Sequence, residues 1–187
     1  VKDFIAWGEW LQALPYVKAD KIGVEGFSFG GTMTSLLVMR ASDKFHYGIA
    51  GGGVYDWALY DSHYTERYMD TPANNPEGYE VSKVLNYVSG YPVDYSFGYT
   101  GKLETLGEET FETWPDVEPV MLKLTHGTGD DNVHHQNTLQ LLDALHRHGK
   151  RFDFMIYPDG MHGYRGYQGT HFEKANQEFW RTYLLGK

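Results

Sequence analysis

The chain has 187 residues, a formal net charge of −9 and no cysteine. That length suffices for one domain with a real core; the acidic balance gives no electrostatic case for binding nucleic acid or an anionic membrane face, and the lack of cysteine excludes disulfides, thiol catalysis and cysteine-based metal sites. Hydrophobic residues make up 41% and charged residues 22%, the balance of an ordinary globular protein, and no apolar run approaches the roughly 20 residues that span a bilayer.

The start, Val1-Lys2-Asp3-Phe4, has neither an initiator Met nor a signal-peptide pattern, so the chain is expected to be part of a longer product. Residues 3–14 read as an amphipathic helix with Phe4, Trp7, Leu11 and Leu14 on one stripe, stopped by Pro15. Lys21-Ile22-Gly23-Val24 has the apolar, β-branched character of a strand, and residues 32–40 read as a helix with Met33, Leu36 and Leu37 on one face. Residues 45–50 form the next strand candidate, closed by Gly51-Gly52-Gly53. Strand, helix and strand in succession imply a right-handed crossover and a parallel sheet.

Residues 57–69 are rich in tyrosine and charge, 72–78 read as a turn and 81–88 as a short helix. Residues 89–119 hold Gly, Tyr, Pro and the acidic run Glu108-Glu109-Thr110-Phe111-Glu112 without a sustained period, and are expected to be an insertion or loop. A strand at 120–125 then enters His126-Gly127-Thr128-Gly129-Asp130-Asp131-Asn132-Val133. A helix over 136–148 turns Leu139, Leu142 and Leu145 inward and stops at Gly149. The last strand, 152–157, leads into Pro158-Asp159-Gly160-Met161-His162-Gly163. Thr170 with Glu173 reads as a capping box that opens a final helix, with Phe172, Ala175, Phe179 and Tyr183 inward.

Between the first strand and its helix lies Glu25-Gly26-Phe27-Ser28-Phe29-Gly30-Gly31, a G-x-S-x-G motif in the strand–turn–helix setting of a nucleophile elbow. A serine hydroxyl is a weak nucleophile until a base takes its proton. In α/β-hydrolases the partners follow in the order Ser, Asp or Glu, His, each on a loop after a strand. Ser28, Asp130 and His162 have that order and those positions. Other readings stay open at this point: Asp130 and Asp131 as caps of the helix near Gln136, and His162 as a surface loop histidine. His134, His135, His146 and His148 read as solvated or packed. No metal-ligand spacing stands out, and neither a metal nor a cofactor is called for.

These residues resemble the catalytic domain of the prolyl oligopeptidase family of serine peptidases, in its dipeptidyl peptidase IV branch. The resemblance rests on the elbow, on Tyr60-Asp61-Ser62-His63-Tyr64-Thr65-Glu66-Arg67-Tyr68-Met69, on 126–134 and on Asp159-Gly160-Met161-His162-Gly163, and it covers nearly the whole chain except 89–119. The tyrosine-rich segment is the most specific of these, because general esterases and lipases lack it. The resemblance implies the C-terminal part of an α/β-hydrolase over 1–187, a mostly parallel sheet flanked by helices. It implies Ser28 as nucleophile, Asp130 as the acid, His162 as the base and the Phe29 N–H as an oxyanion donor. Tyr60 and Tyr64 are implied to line a pocket for a proline ring, with Trp57, Val54 and Val133 beside them, and Asn132 to hydrogen-bond a substrate backbone carbonyl.

The implied substrate is a peptide with proline or alanine at its second position, cut to release an N-terminal dipeptide. Family members also carry an upstream β-propeller, early sheet strands and a loop tyrosine that supplies a second oxyanion donor. None of these is in the 187 residues, so low activity of this chain alone is expected. The resemblance leaves a homodimer open, implies no nucleic-acid partner and fits a periplasmic, secreted or membrane-anchored protein. The alternatives are a broader serine hydrolase, such as an acylaminoacyl peptidase or esterase, and an inactive fragment or interaction domain.

Overall fold

Parallel strands bury both faces and need long crossovers, and the chain supplies both. The computed structural model describes residues 1–93, 103–106, 109–112 and 119–186. In chain order these form α1 (Lys2–Gln12), β1 (Gly23–Phe27), α2 (Phe29–Arg40), β2 (Tyr47–Gly51), a 3-10 turn (Trp57–Leu59), α3 (Ser62–Met69), α4 (Pro76–Ser82) and a second 3-10 segment (Val84–Gly90). There follow β3 (Leu103–Leu106), β4 (Glu109–Glu112), β5 (Met121–Gly127), α5 (Gln136–Arg147), β6 (Asp153–Tyr157) and α6 (Gly166–Tyr183). The main sheet has the order β1-β2-β5-β6, parallel throughout. β2 and β5 are buried along their whole length, as strands covered on both faces must be.

Side-chain alternation sorts the two faces. Ala50, Leu122 and Leu124 meet Leu36, Val38 and Met39 of α2 and Leu141, Leu142 and Leu145 of α5. Tyr47, Ile49 and Met121 face the other way, onto Phe179 of α6 with Trp180 and Tyr183 beside it. The register Phe27↔Gly51, Gly51↔Thr125 and Gly127↔Tyr157 aligns the C-terminal ends of the four strands. The loops that follow β1, β5 and β6 therefore emerge at one sheet edge, where open parallel sheets hold their sites.

Several local expectations are corrected. α1 turns Phe4, Trp7 and Trp10 outward, at 47%, 61% and 53% exposure, and packs instead through Ile5, Gly8 and Leu11 against the cluster of Ile22, Leu37, Ala41 and Phe45. Gly8 has no side chain to hold the helix off Phe45, so that face lies closest. A helix at Pro76–Ser82 replaces the expected turn: the Asn75 carboxamide accepts from the Gly78 N–H at 3.1 Å and Pro76 sits in the first turn, a start signal that matches helix geometry. In α5, Leu139 is 50% exposed, and the inward stripe is Thr138, Leu141, Leu142 and Leu145. The capping box does not form. α6 begins at Gly166, four residues earlier, and Thr170 Oγ1 donates back to the Gly166 carbonyl at 3.3 Å.

The expected insertion at 89–119 falls largely outside the described residues. At its start, Tyr91 and Val93 are buried in the core, and the Tyr91 hydroxyl accepts from the Leu122 N–H at 3.0 Å. Within it, β3 pairs antiparallel with β4.

Candidate active site

β1 ends in a tight reversal. Ser28 donates its N–H to the Gly51 carbonyl of β2 at 2.8 Å, and its own carbonyl accepts the first bond of α2, from the Thr32 N–H at 3.1 Å. Strand therefore passes into helix with Ser28 alone between them. A side chain at Gly26 would run into the backbone of Gly30, which is why that position takes glycine. The reversal forces Ser28 to φ 59° and ψ −123°, a conformation that costs a non-glycine residue about 1–3 kcal/mol. Ser28 occupies the N-cap position of α2, yet its side chain makes no capping bond. Its hydroxyl instead lies 3.0 Å from His162 Nε2. The N–H groups of the first turn, Phe29 first among them, have no carbonyl to bond within the helix and stand at its positive end.

The loops after β5 and β6 are stitched together. Thr128 donates its N–H to the Tyr157 carbonyl at 3.0 Å, and Gly129 donates to the Gly160 carbonyl at 3.0 Å. The Asp159 N–H donates to Thr128 Oγ1 at 2.8 Å. Gly127 lies so close to the Gly160 carbonyl that no Cβ fits there. This stitching carries Asp130 and His162 into register: His162 Nδ1 donates to Asp130 Oδ2 at 2.8 Å. Because a carboxylate only accepts, the proton of neutral His162 sits on Nδ1, and Nε2 is left bare toward the Ser28 hydroxyl. The Asp130 side chain is fully buried. Its Oδ1 accepts from the N–H groups of Asn132 at 3.0 Å and Val133 at 2.9 Å, while α5 starts after His135 without a side-chain cap. The alternative role of Asp130 as the cap of that helix is thus not realised.

Next to Phe29, the residue after Ser28, stands an aromatic wall. Trp57 stacks on Tyr64 with ring centroids 6.3 Å apart and an interplanar angle of 19°. Tyr60 meets both edge-on, at 5.8 Å from Trp57 and 5.6 Å from Tyr64, and the Phe29 ring lies 6.1 Å from Trp57. The segment is held by two caps: Asp56 accepts from the Ala58 N–H at 3.0 Å and Asp61 from the Tyr64 N–H at 2.8 Å. Val54 and Val133 are buried, and both backbone polar groups of Val54 bond Thr32 Oγ1. The Tyr60 hydroxyl donates to Asn132 Oδ1 at 2.8 Å, which leaves the Asn132 amide free to donate to a carbonyl.

The chain matches the prolyl oligopeptidase family over residues 1–187. The chain belongs to that family. It is 42% identical over 160 residues, 84% of this chain and 14% of the relative, to a protein of Uncinocarpus reesii named "Probable dipeptidyl-aminopeptidase B". A crystal structure of Porphyromonas gingivalis dipeptidyl peptidase 4 superposes with a TM-score of 0.77 at 34% identity, covering 95% of this chain and 22% of that chain. A Bacteroides ovatus structure named for dipeptidyl aminopeptidase IV superposes with a TM-score of 0.81 at 32% identity, covering 98% of this chain and 22% of that one. The fold is that of an α/β-hydrolase. The chain spans 14% to 22% of the length of these relatives.

In this member of the prolyl oligopeptidase family, Ser28, His162 and Asp130 lie in one hydrogen-bonded row, with Tyr60, Tyr64, Trp57, Phe29 and Asn132 forming one connected surface. Two further residues adjoin the row. Phe27, the last residue of β1, sets its ring edge-on to His162 at 5.2 Å and to Tyr164 at 5.6 Å. His126 in β5 lies with its Nε2 3.3 Å from Asp130 Oδ2. His126 opens the 126–134 segment of the family resemblance, and as a polar ring inside a run of strand residues it must find buried partners.

Proposed function

We propose that this chain is the catalytic part of a serine peptidase that removes N-terminal dipeptides with proline or alanine at the second position. The observation that carries the reading is the Ser28–His162–Asp130 row, at 3.0 Å and 2.8 Å, beside the aromatic wall. His162 Nε2 takes the hydroxyl proton as Ser28 Oγ attacks the scissile carbonyl carbon, and Asp130 stabilises the imidazolium that results. The carbonyl π electrons move onto oxygen, which faces the Phe29 N–H at the positive end of α2. Collapse breaks the C–N bond, and the His162 proton passes to the leaving amine. Water, deprotonated by His162, then attacks the acyl-serine and restores the hydroxyl.

A rigid pyrrolidine ring offers a flat apolar face to Tyr60, Tyr64 and Trp57, and Asn132 donates its amide to a peptide carbonyl. We take residues 1–187 as one catalytic unit, with 89–119 as an insertion into it.

The test is labelling by a fluorophosphonate, with Ser28→Ala and His162→Ala as controls, followed by turnover of glycyl-prolyl-p-nitroanilide and p-nitrophenyl acetate by the full-length protein. Serine-dependent labelling with preference for the prolyl substrate supports the reading. Labelling with equal use of the ester and no prolyl preference points to the broader hydrolase, and no labelling at all refutes it.

A further inference from the structure

β5 carries a histidine that the chemistry above does not use. The His126 side chain is completely buried, and both ring nitrogens are engaged. Nδ1 lies 2.6 Å from Thr138 Oγ1 in α5, and Nε2 lies 2.8 Å from the Val133 carbonyl oxygen. A carbonyl only accepts, so Nε2 carries a proton; in the neutral ring Nδ1 accepts from the Thr138 hydroxyl. Burial favours that neutral ring by pushing its pKa down. The Nε2 also stands 3.3 Å from Asp130 Oδ2, the oxygen that faces His162 Nδ1.

What His126 grips is a closed loop. The Val133 N–H and the Asn132 N–H both donate to Asp130 Oδ1, so Val133 is held to His126 through its carbonyl and to Asp130 through its amide. Fixing that carbonyl fixes the plane of the carboxylate. It also fixes the start of the Asn132 side chain, which meets Tyr60. A strand in the middle of the sheet thereby sets both ends of the loop.

We propose that His126 is a positioning residue that holds loop 130–133 from within the sheet, aiming Asp130 Oδ2 at His162 and Asn132 at the aromatic wall. Its kinetic consequence rests on the hydrolase reading; its geometric consequence does not. A role confined to filling space would need only the ring's volume, whereas this role needs the Nε2 proton.

Two substitutions separate these. His126→Gln keeps an N–H near the position of Nε2, and His126→Leu keeps bulk without a donor. Three readouts apply to each: the rate of fluorophosphonate labelling, the low-field proton resonance of His162 Nδ1–H, identified by its loss in Asp130→Ala, and thermal unfolding. His126→Leu is expected to slow labelling by about 10- to 100-fold and to shift or broaden the low-field line, as misplacement of a catalytic group does. His126→Gln is expected to stay within about threefold and to keep the line. Thr138→Val, which removes the hydroxyl on the ring's other nitrogen, takes the place of His126→Leu where that variant does not fold, with a line shift in the same direction.

A folded His126→Leu with wild-type labelling and an unmoved line overturns the proposal. Equal impairment by Gln and Leu, tracking the loss of thermal stability, overturns it in favour of packing. If the wild-type protein is not labelled, the hydrolase reading falls, and the low-field line alone decides: moved by Leu and kept by Gln it upholds the positioning role, unmoved by Leu it refutes it.

Discussion

The Tyr60 hydroxyl donates to Asn132 Oδ1 at 2.8 Å, so the aromatic wall and the loop that bears Asp130 are one hydrogen-bonded unit. Tyr60→Phe removes only that donor. Losing a hydrogen bond of this kind is worth about 1 kcal/mol, and the freed Asn132 carboxamide can rotate away from a substrate carbonyl. We expect kcat/KM for glycyl-prolyl-p-nitroanilide to fall about fivefold to tenfold, with p-nitrophenyl acetate turnover unchanged. Equal losses on both would assign the hydroxyl to folding.

Tyr64 stacks on Trp57 and is 45% exposed, so part of its face is open to a ligand. Tyr64→Ala should remove about 2 kcal/mol of contact with an apolar ring, or on the order of 30-fold in kcat/KM for the prolyl reporter. The small ester needs no such wall and should lose much less. A thermal scan of the variant checks that the fold is intact.

Ser28 sits at φ 59°. Glycine accepts that conformation freely, and alanine does not. Ser28→Gly should therefore raise stability by about 1 kcal/mol, whereas Ser28→Ala should not, although both abolish labelling. Denaturant midpoints of the two inert variants measure the difference, and equal midpoints would mean that the elbow stores no strain.

Burial pushes the pKa values of His126, His135 and His46 below the usual 6.5. In the folded protein they stay neutral where the unfolded chain takes up protons. Above pH 6.5 neither state is protonated at these groups and they leave stability flat. Below it the unfolded state binds protons that the folded state refuses, so stability falls by at most about 1.4 kcal/mol per pH unit for each histidine. The fall continues until pH reaches each lowered value. Unfolding midpoints at pH 8, 7, 6 and 5.5 should show this onset, and His126→Gln should make the slope shallower by one proton. An unchanged slope in that variant would mean that His126 is protonated in the fold.

The legible parts of the molecule are those where one local rule has no rival. The strands around Val24, Ile49, Leu122 and Phe154 are apolar runs bounded by glycine or proline, and they pair in the parallel sheet that the crossovers demand. The elbow is legible because strand, G-x-S-x-G and helix adjoin. The rest depends on which neighbour arrives. Leu139 and Leu141 are equal as side chains, and only the docking of α5 on the sheet turns one outward and the other inward. Thr170 and Glu173 satisfy a capping pattern, but Gly166 starts the helix first. Nothing in Tyr60 or Tyr64 alone marks a ligand wall. Only the family resemblance implies that role, and the bond from Tyr60 to Asn132 spans 72 residues that no local pattern connects. His126 lies in the 126–134 segment of the resemblance, but its partners are not legible there, since they lie on a helix and a loop that meet it only in the folded sheet.

Ser28 and His162 stand 134 residues apart along the chain, and the histidine follows β6, the strand at the end of the row. Synthesis runs from the N-terminus, so the elbow leaves the ribosome long before His162 does. A serine without a base is inert. Under the proposed triad, Ser28 gains its base only when β6 docks on β5, so a nascent or half-folded chain carries an unactivated serine. Under that reading covalent titration of Ser28 counts the chains in which β6 has docked on β5, and the time course of reactivity during refolding is a clock for that docking step.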